Sequence, residues 1–295
     1  MCAELIQKNT VCEDFMIRFI VDSTFGVTRE FAKENGIKIV RLTLLLDGRE
    51  FVEGDREDWS VFYGESARSK GVANTSQTSP RMFQDAIDEV YAEDENAEIL
   101  ILTIGDRLSG TIGSANIAAL QYPDKKLTVM DSHNAGPSAL MFLEELVRAS
   151  RDGMDYQAVI DYALEIRDRF STKFVPVSLT ELARGGRVNK LISHIGNILN
   201  IKPVFEYKAN DLNILTKALG VKRAMQYAVD SVPDEFERLW VLYINDDGLV
   251  EQLKDRLFKR FGMAHIDVEP MCPVGGVHIG VGTVGIVTFE KEKKA

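Results

Sequence analysis

The first half of the chain repeats one order of segments: an apolar strand, a small polar turn, and then a helix-forming segment. The polar turns are Asp22-Ser23-Thr24, Ser109-Gly110-Thr111 and Asp131-Ser132. This order predicts a parallel β-sheet covered by helices, with all the turns at one edge. Because ligands of such sheets bind outside the carboxyl ends of the strands, we expect the turns to converge on one crevice. The strands predicted before these turns are Met16–Val21, Ala97–Ile104 and Leu127–Met130.

Two contrasting segments and a predicted helix separate the first two of these strands. Lys38–Leu46 forms a second apolar run, and Asp47–Asn74 is polar and acidic. Ser79 is predicted to be the N-cap of the following helix, with Pro80 as its first residue.

The region that begins near residue 171 predicts a second, mixed α/β unit. Within it, Ile201–Tyr207 and Leu212–Thr216 flank Asn210-Asp211 and are typical of a β-hairpin. A helix is predicted over Val188–Leu199. The expected organisation is an N-terminal extension (residues 1–15), an N-terminal α/β domain (16–170) and a C-terminal α/β domain (171–295).

Charge and composition argue against several functional classes. The formal net charge is -10, and the chain has no basic run, so it is a poor candidate for nucleic acid or for anionic membrane surfaces. No uncharged stretch reaches the roughly 18 residues of a membrane helix. The N-terminus lacks the order of a signal peptide, and the chain has 3 cysteines without metal-type spacing. A cytoplasmic protein with no transmembrane segment is therefore expected.

Sequence signatures for nucleotides, metals and hydrolysis are weak. Gly280–Gly285 matches the GxGxxG pattern, but that motif must open a helix, whereas Val284–Phe289 is predicted to be a strand. The histidines lack paired spacing for a metal, so we expect no cofactor and no metal. The GxSxG elbow of a serine hydrolase is missing. Because His133 follows Asp131-Ser132, an independent hydrolase acting through Ser109 or Ser132 stays open as the alternative.

Three segments have the residue types of an anion site. Ser109-Gly110-Thr111 precedes a predicted helix, whose exposed backbone N–H groups favour anions. Thr75–Pro80 has the same character, although both segments could serve only as turn and cap. Arg184-Gly185-Gly186-Arg187 can aim guanidinium groups at a carboxylate or phosphate, or simply end a helix.

Several short motifs follow one another between Ile17 and Phe289. They are Asp22-Ser23-Thr24, Thr75-Ser76-Gln77, Leu108-Ser109-Gly110-Thr111, Asp131-Ser132, Arg184-Gly185-Gly186-Arg187, Ile201-Lys202-Pro203, and His278 within Gly275–Gly285. Taken in order, these motifs resemble those of the DegV family of bacterial fatty-acid-binding proteins. Some members of that family are the acyl-carrying subunits of a two-component fatty acid kinase. The resemblance departs near Leu219, where the family has an arginine and this chain has Lys217, Lys222 and Arg223 nearby.

The resemblance implies two α/β domains with a fatty acid in a cleft between them. It implies that Thr75 and Ser109 hold the fatty carboxylate, that His278 contacts it, and that Arg187 serves phosphoryl transfer or kinase contact. The chain would then be a lipid-binding subunit of phospholipid metabolism that presents the carboxylate to a separate ATP-binding kinase, which forms the acyl phosphate. A lipid sensor or transporter without a kinase is a further alternative. We also expect Asp22, Ser23, Gly110 and Ser132 to lie near the carboxylate head group of the fatty acid.

Overall fold

The computed structural model describes residues 17–69, 73–184, 200–245 and 247–292. Within these ranges the strands form three sheets. In chain order the strands are β1 (Arg18–Asp22), β2 (Lys38–Val40), β3 (Thr43–Leu46), β4 (Arg49–Val52), β5 (Asn74–Ser76), β6 (Ile99–Thr103), β7 (Leu127–Asp131), β8 (Phe170–Val175), β9 (Ile201–Lys208), β10 (Asp211–Leu219), β11 (Phe236–Tyr243), β12 (Asp267–Pro270) and β13 (Val284–Glu290). The α-helices are α1 (Arg29–Glu34), α2 (Trp59–Arg68), α3 (Pro80–Glu93), α4 (Thr111–Ala119), α5 (Pro137–Arg151), α6 (Tyr156–Ile166), α7 (Leu179–Arg184), α8 (Val221–Asp230), α9 (Asp247–Phe261) and α10 (Pro273–Ile279).

A four-stranded parallel sheet with the order β2-β1-β6-β7 confirms the predicted parallel architecture. Its central strand β6 is buried along its whole length, as expected where helices cover both faces. Helix α3 begins at Pro80 with Ser79 as its N-cap, as predicted, and buries Phe83 and Ile87 against this sheet. The three polar turns therefore follow the carboxyl ends of neighbouring strands.

The apolar run Lys38–Leu46 contributes strands to two different sheets. Strand β2 pairs with β1, whereas β3 lies in an antiparallel sheet of order β4-β3-β5. The change occurs at Leu42, whose N–H donates to Ser23 Oγ (2.9 Å) and whose carbonyl accepts from the Glu53 N–H (2.9 Å). The polar stretch that follows also contains regular structure, namely β4 and α2.

A six-stranded mixed sheet with the order β10-β9-β8-β13-β11-β12 forms the second α/β unit. The predicted hairpin is confirmed as β9 and β10, and its turn residues Ala209 and Asn210 have positive φ. The domain boundary after residue 170 stays a prediction. The predicted extension at residues 1–15 and the predicted helix over 188–199 lie outside the described residues.

One hydrophobic core connects the parallel sheet with the six-stranded sheet. Helix α5 is buried along most of its length and contributes Phe142 to this core. The Phe142 ring meets Phe170 of β8 edge-on at 5.6 Å, and Phe170 stacks on Phe289 of β13 at 4.4 Å. Helices α8 and α9 cover the opposite face of the six-stranded sheet. No described helix is long and apolar enough to cross a membrane.

The glycine-rich segment near the C-terminus is partly helical. Pro273–Ile279 forms α10, which has Cys272 as its N-cap and carries His278. After this helix, strand β13 begins at Val284, as predicted. A dinucleotide-binding motif would require a helix at this position. A Cβ at Gly285 would lie 2.5 Å from the Lys173 carbonyl oxygen, so the backbones of β13 and β8 pack closely at this position.

Candidate functional site

A cavity of about 580 Å³ lies where the parallel sheet, the antiparallel sheet, the six-stranded sheet and α10 meet. Its volume falls within the range of about 300–1,000 Å³ that is usual for small-molecule sites. The polar and charged side chains among its lining residues are Thr24, Thr75, Ser76, Gln77, Asp106, Arg107, Ser109, Thr172, Tyr207 and His278. The apolar ones include Leu42, Ile104, Leu108, Phe174, Leu212, Met271, Val274 and Ile279.

Thr75 and His278 meet in the wall of this cavity. The Thr75 hydroxyl and His278 Nε2 are hydrogen-bonded at 2.8 Å, although 203 positions separate the two residues. Thr75 lies in β5, which pairs with β3, and His278 lies in the last turn of α10. The fold thus brings together two of the predicted site residues and presents a hydroxyl and an imidazole to the same space.

Tyr63 of α2 holds the helix that carries His278. Its hydroxyl donates to the carbonyl oxygens of Met271 (3.0 Å) and Cys272 (3.2 Å). A Cβ at Gly276 would lie 3.0 Å from the Tyr63 ring, so a side chain there would displace α10 from α2. This glycine is therefore needed for close helix packing at the site.

Ser109 and Gly110 line the cavity from the turn between β6 and α4. The Ser109 N–H donates to the Gly105 carbonyl (3.2 Å), and its hydroxyl is hydrogen-bonded to that of Thr111 (2.9 Å). A Cβ at Gly110 would lie 2.7 Å from Gln77 Oε1, so this turn packs closely against the segment after Thr75. The two predicted hydroxyl motifs are therefore neighbours in the cavity wall.

Asp22, Ser23 and Ser132 are not among the described residues that line the cavity. The Asp22 carboxylate accepts from the Ile104 N–H (2.7 Å) and from Thr24, and burial raises its pKa to about 6. The buried Ser132 hydroxyl donates to the Asn134 carbonyl (3.2 Å). These groups support the turns that form the cavity.

Glu53 is a buried acid beside the site that the sequence interpretation did not identify. Its Oε1 accepts from the Val274 N–H of α10 (2.8 Å), and its Oε2 accepts from the Ser23 hydroxyl. Burial raises the pKa of Glu53 to about 7. Because it lies in a stretch that is polar overall, local sequence gave no signal of its burial.

Arg107 is a second residue that the sequence interpretation missed. It lies in the turn between β6 and Ser109 and contributes a cation to the cavity wall. Arg107 follows β6, and the carboxyl ends of parallel strands were predicted to form the ligand-binding edge. Its position in the sequence could therefore have identified it as a site residue. The predicted Arg187 lies outside the described residues.

The described contacts give no support to a serine hydrolase. A serine nucleophile needs a base within hydrogen-bonding reach, but Ser109 contacts Thr111 and Ser132 contacts Asn134. His133 instead hydrogen-bonds through Nδ1 to Asp168 (2.6 Å). Among the described residues there is also no cluster of His, Cys, Asp or Glu able to hold a metal ion.

The cavity combines hydrogen-bonding groups with an extended apolar wall. Hydroxyl and imidazole groups can donate to a carboxylate, and a guanidinium can neutralise its charge. The aliphatic and aromatic side chains that also line the cavity can cover an alkyl chain. An amphipathic anion with a long hydrocarbon tail fits this distribution.

Comparisons with known proteins show what this chain is similar to. A family model described as "Uncharacterised protein, DegV family" matches residues 16–291. The DegV domain-containing protein YteA of Lactococcus lactis is 27% identical over 290 residues, covering 94% of this chain and 99% of that protein. A structure of the fatty acid kinase B3 protein of Streptococcus pneumoniae, loaded with linoleic acid, has a TM-score of 0.78 at 24% identity and covers 94% of this chain and 100% of that one. A DegV family protein from Thermus thermophilus, described by its fatty acid binding, has a TM-score of 0.82 at 24% identity, with 94% and 100% covered.

Proposed function

The chain belongs to the DegV family, and from that premise we propose that its cavity binds one long-chain fatty acid. The observation that carries the proposal is a single cavity that joins the Thr75–His278 pair to an apolar wall. Similar proteins support it, since the Streptococcus pneumoniae protein is loaded with linoleic acid and the Thermus thermophilus protein is described as binding fatty acid. In the proposed complex, Thr75, Ser109 and His278 contact the carboxylate.

An estimate of the binding free energy indicates that tight binding needs both the apolar wall and the hydrogen-bonding groups of the cavity. Burying a methylene group contributes about 0.8 kcal/mol, so roughly fourteen methylenes contribute about 11 kcal/mol. Association and ordering offset about 4–15 kcal/mol of this gain. Hydrogen bonds to the charged carboxylate add about 1.5–3 kcal/mol each. Tight binding therefore requires an apolar wall and a satisfied head group together.

We further propose that the bound carboxylate is presented to a separate, ATP-binding kinase, which phosphorylates it to an acyl phosphate. The name of the Streptococcus pneumoniae relative, a fatty acid kinase protein, supports this role. A subunit that only presents substrate needs no nucleotide motif of its own, and Gly280–Gly285 leads into a strand where a dinucleotide motif requires a helix. Arg187 is assigned to stabilising the charge that develops during phosphoryl transfer, or to contact with the kinase.

The protein purified from a bacterial host is expected to carry one fatty acid. Native mass spectrometry should show a single acyl adduct, and organic extraction should release it. Returning fatty acid to delipidated protein should raise the melting temperature, because a ligand at a hundredfold excess over Kd stabilises the folded state by about 2.7 kcal/mol. A fatty alcohol of equal length, which lacks the carboxylate, is the matched control and should stabilise less. If extraction yields no acyl species and fatty acid leaves the melting temperature unchanged, the proposed function is wrong.

Arg187→Ala is expected to separate binding from transfer. With labelled ATP and a fatty acid kinase ATP-binding subunit, the variant should form acyl phosphate at least about tenfold more slowly, a barrier change of about 1.4 kcal/mol. His278→Ala should instead weaken fatty acid binding itself. Arg81→Ala removes an exposed arginine of α3 and serves as the control. Unchanged transfer by Arg187→Ala would remove that residue from the proposal, and no transfer by the parent protein would favour a lipid sensor or transporter.

A further inference from the structure

The Asp131-Ser132 motif and the β9–β10 hairpin meet at one side chain, that of Asn210. Its Nδ2 donates to Asp106 Oδ1 (2.7 Å) and to Asp131 Oδ2 (3.3 Å), and its Oδ1 accepts from the Tyr207 hydroxyl (2.8 Å). Carboxylates accept hydrogen bonds and the tyrosine hydroxyl donates one, so these partners leave a single orientation for the amide. Asn210 therefore joins the six-stranded sheet to two polar turns of the parallel sheet.

The backbone at this junction allows the hairpin and the turn to approach closely. Asn210 has a φ of 58°, in the left-handed region that asparagine tolerates in hairpin turns. On the opposite side, a Cβ at Gly105 would meet the Tyr207 hydroxyl and would lie 2.7 Å from Asn210 Oδ1. Glycine at position 105 is therefore required for the contact between the hairpin and the turn after β6.

The turn that Asn210 holds carries Ser109. Asp106 is fixed twice, since its carboxylate accepts from Asn210 and its N–H donates to Asp131 Oδ2 (3.0 Å). Three residues later, the Ser109 N–H donates to the Gly105 carbonyl (3.2 Å), which closes the turn on itself. Because Asp106 lies inside this closed turn, a displacement of Asp106 also displaces Ser109.

Apolar packing holds the outer part of this turn only weakly. Asp106, Arg107 and Gly110 are exposed, and Leu108 and Ser109 are half-buried. A segment with few buried apolar contacts has low local stability, so its position depends on its hydrogen bonds. The bonds at Asp106 are therefore placed to determine where the Ser109 hydroxyl lies.

We propose that Asn210 and Asp131 are positioning residues for Ser109, holding the turn after β6 where the serine hydroxyl reaches the carboxylate of the bound acid. This inference rests on the proposed contact between Ser109 and the carboxylate. A displacement of about 1 Å removes a hydrogen bond of ordinary length, so small movements of the turn matter. The Asp131-Ser132 motif thereby serves ligand binding without touching the ligand.

The test is a double-mutant cycle between Asn210→Gly and Ser109→Ala, measured by titrating delipidated protein with palmitic acid. Asn210→Gly removes the amide but keeps the hairpin turn, because glycine adopts positive φ freely. It is expected to weaken binding about fivefold or more, but no more than Ser109→Ala does. In the Ser109→Ala background it should add no further loss, since no hydroxyl is left to position. Gly105→Ala breaks the same contact from the parallel sheet and should give the same pattern.

Asn213→Ala is the matched control. Asn213 is an exposed residue of β10 whose amide donates to Asp211 Oδ2 (3.2 Å), and this variant should bind palmitic acid with the parent's affinity. Parental affinity in both Asn210→Gly and Gly105→Ala would overturn the inference while leaving fatty acid binding intact. Equal losses with and without the Ser109 hydroxyl would also contradict it, because they would show a general effect on the fold. Parental binding by Ser109→Ala would remove the premise, and failure of the parent to bind palmitic acid would refute the proposed function itself.

Discussion

Thr75→Val and Ser109→Ala are each expected to weaken fatty acid binding by about 1–3 kcal/mol, because each removes a hydrogen bond to a buried carboxylate. The larger value corresponds to more than a hundredfold in Kd. The two losses should be non-additive, since both hydroxyls contact one group. Titration of delipidated single and double variants with one fatty acid measures the coupling.

The control for this cycle lies in the same segment as Thr75. Thr78 is buried, its hydroxyl has no partner among the described residues, and it does not line the cavity. Thr78→Val should therefore bind fatty acid with the parent's affinity. Strictly additive, small losses at Thr75 and Ser109 would contradict a shared carboxylate site.

Stability is expected to fall as the pH rises through the range in which Glu53 ionises. Its pKa is raised from 4.5 to about 7 by burial, so the folded state holds a proton that the unfolded state has already released. The contribution of Glu53 to the free energy of unfolding is therefore fully present below about pH 4.5, falls by about 3 kcal/mol as the pH rises through about 7, and changes little above that. Asp22, with its pKa raised to about 6, adds a loss of the same sign at lower pH.

Glu53→Gln should remove most of this fall, because glutamine stays neutral at both ends of the range. Urea unfolding of the delipidated protein at pH 5 and pH 8 measures it, and the variant should be more stable than the parent at pH 8. Glu50→Gln, which changes an exposed residue of β4, should alter stability by no more than about 0.5 kcal/mol. Parent and variant profiles that remain parallel would show that Glu53 is not the titrating group.

Periodic apolar segments predicted the parallel sheet because local patterns determine strands and helices whose faces are buried. Local patterns did not predict helix α10, because Gly275 and Gly276 lower its helix propensity. That helix depends instead on Tyr63 of α2, a contact that no local pattern reveals. The burial of Glu53 has a similar origin, since its partners Ser23 and Val274 are distant in the chain.

Some candidate site residues could be predicted from sequence motifs, whereas others were identified from the structure. Motif order indicated Thr75, Ser109 and His278, and the fold places all three in one cavity wall. Arg107 belongs to none of these motifs, and its position in the cavity wall depends on how the turn after β6 packs in the folded chain.

The Thr75–His278 hydrogen bond determines when, during synthesis of the chain, the proposed head-group site can form. Its two halves are 203 positions apart, and the second belongs to a helix that begins at Pro273. The ribosome must translate the chain as far as His278 before the imidazole can reach the hydroxyl. Under the proposed function, the lipid is acquired only after that point, and a chain that ends before His278 has no complete head-group site and stays empty.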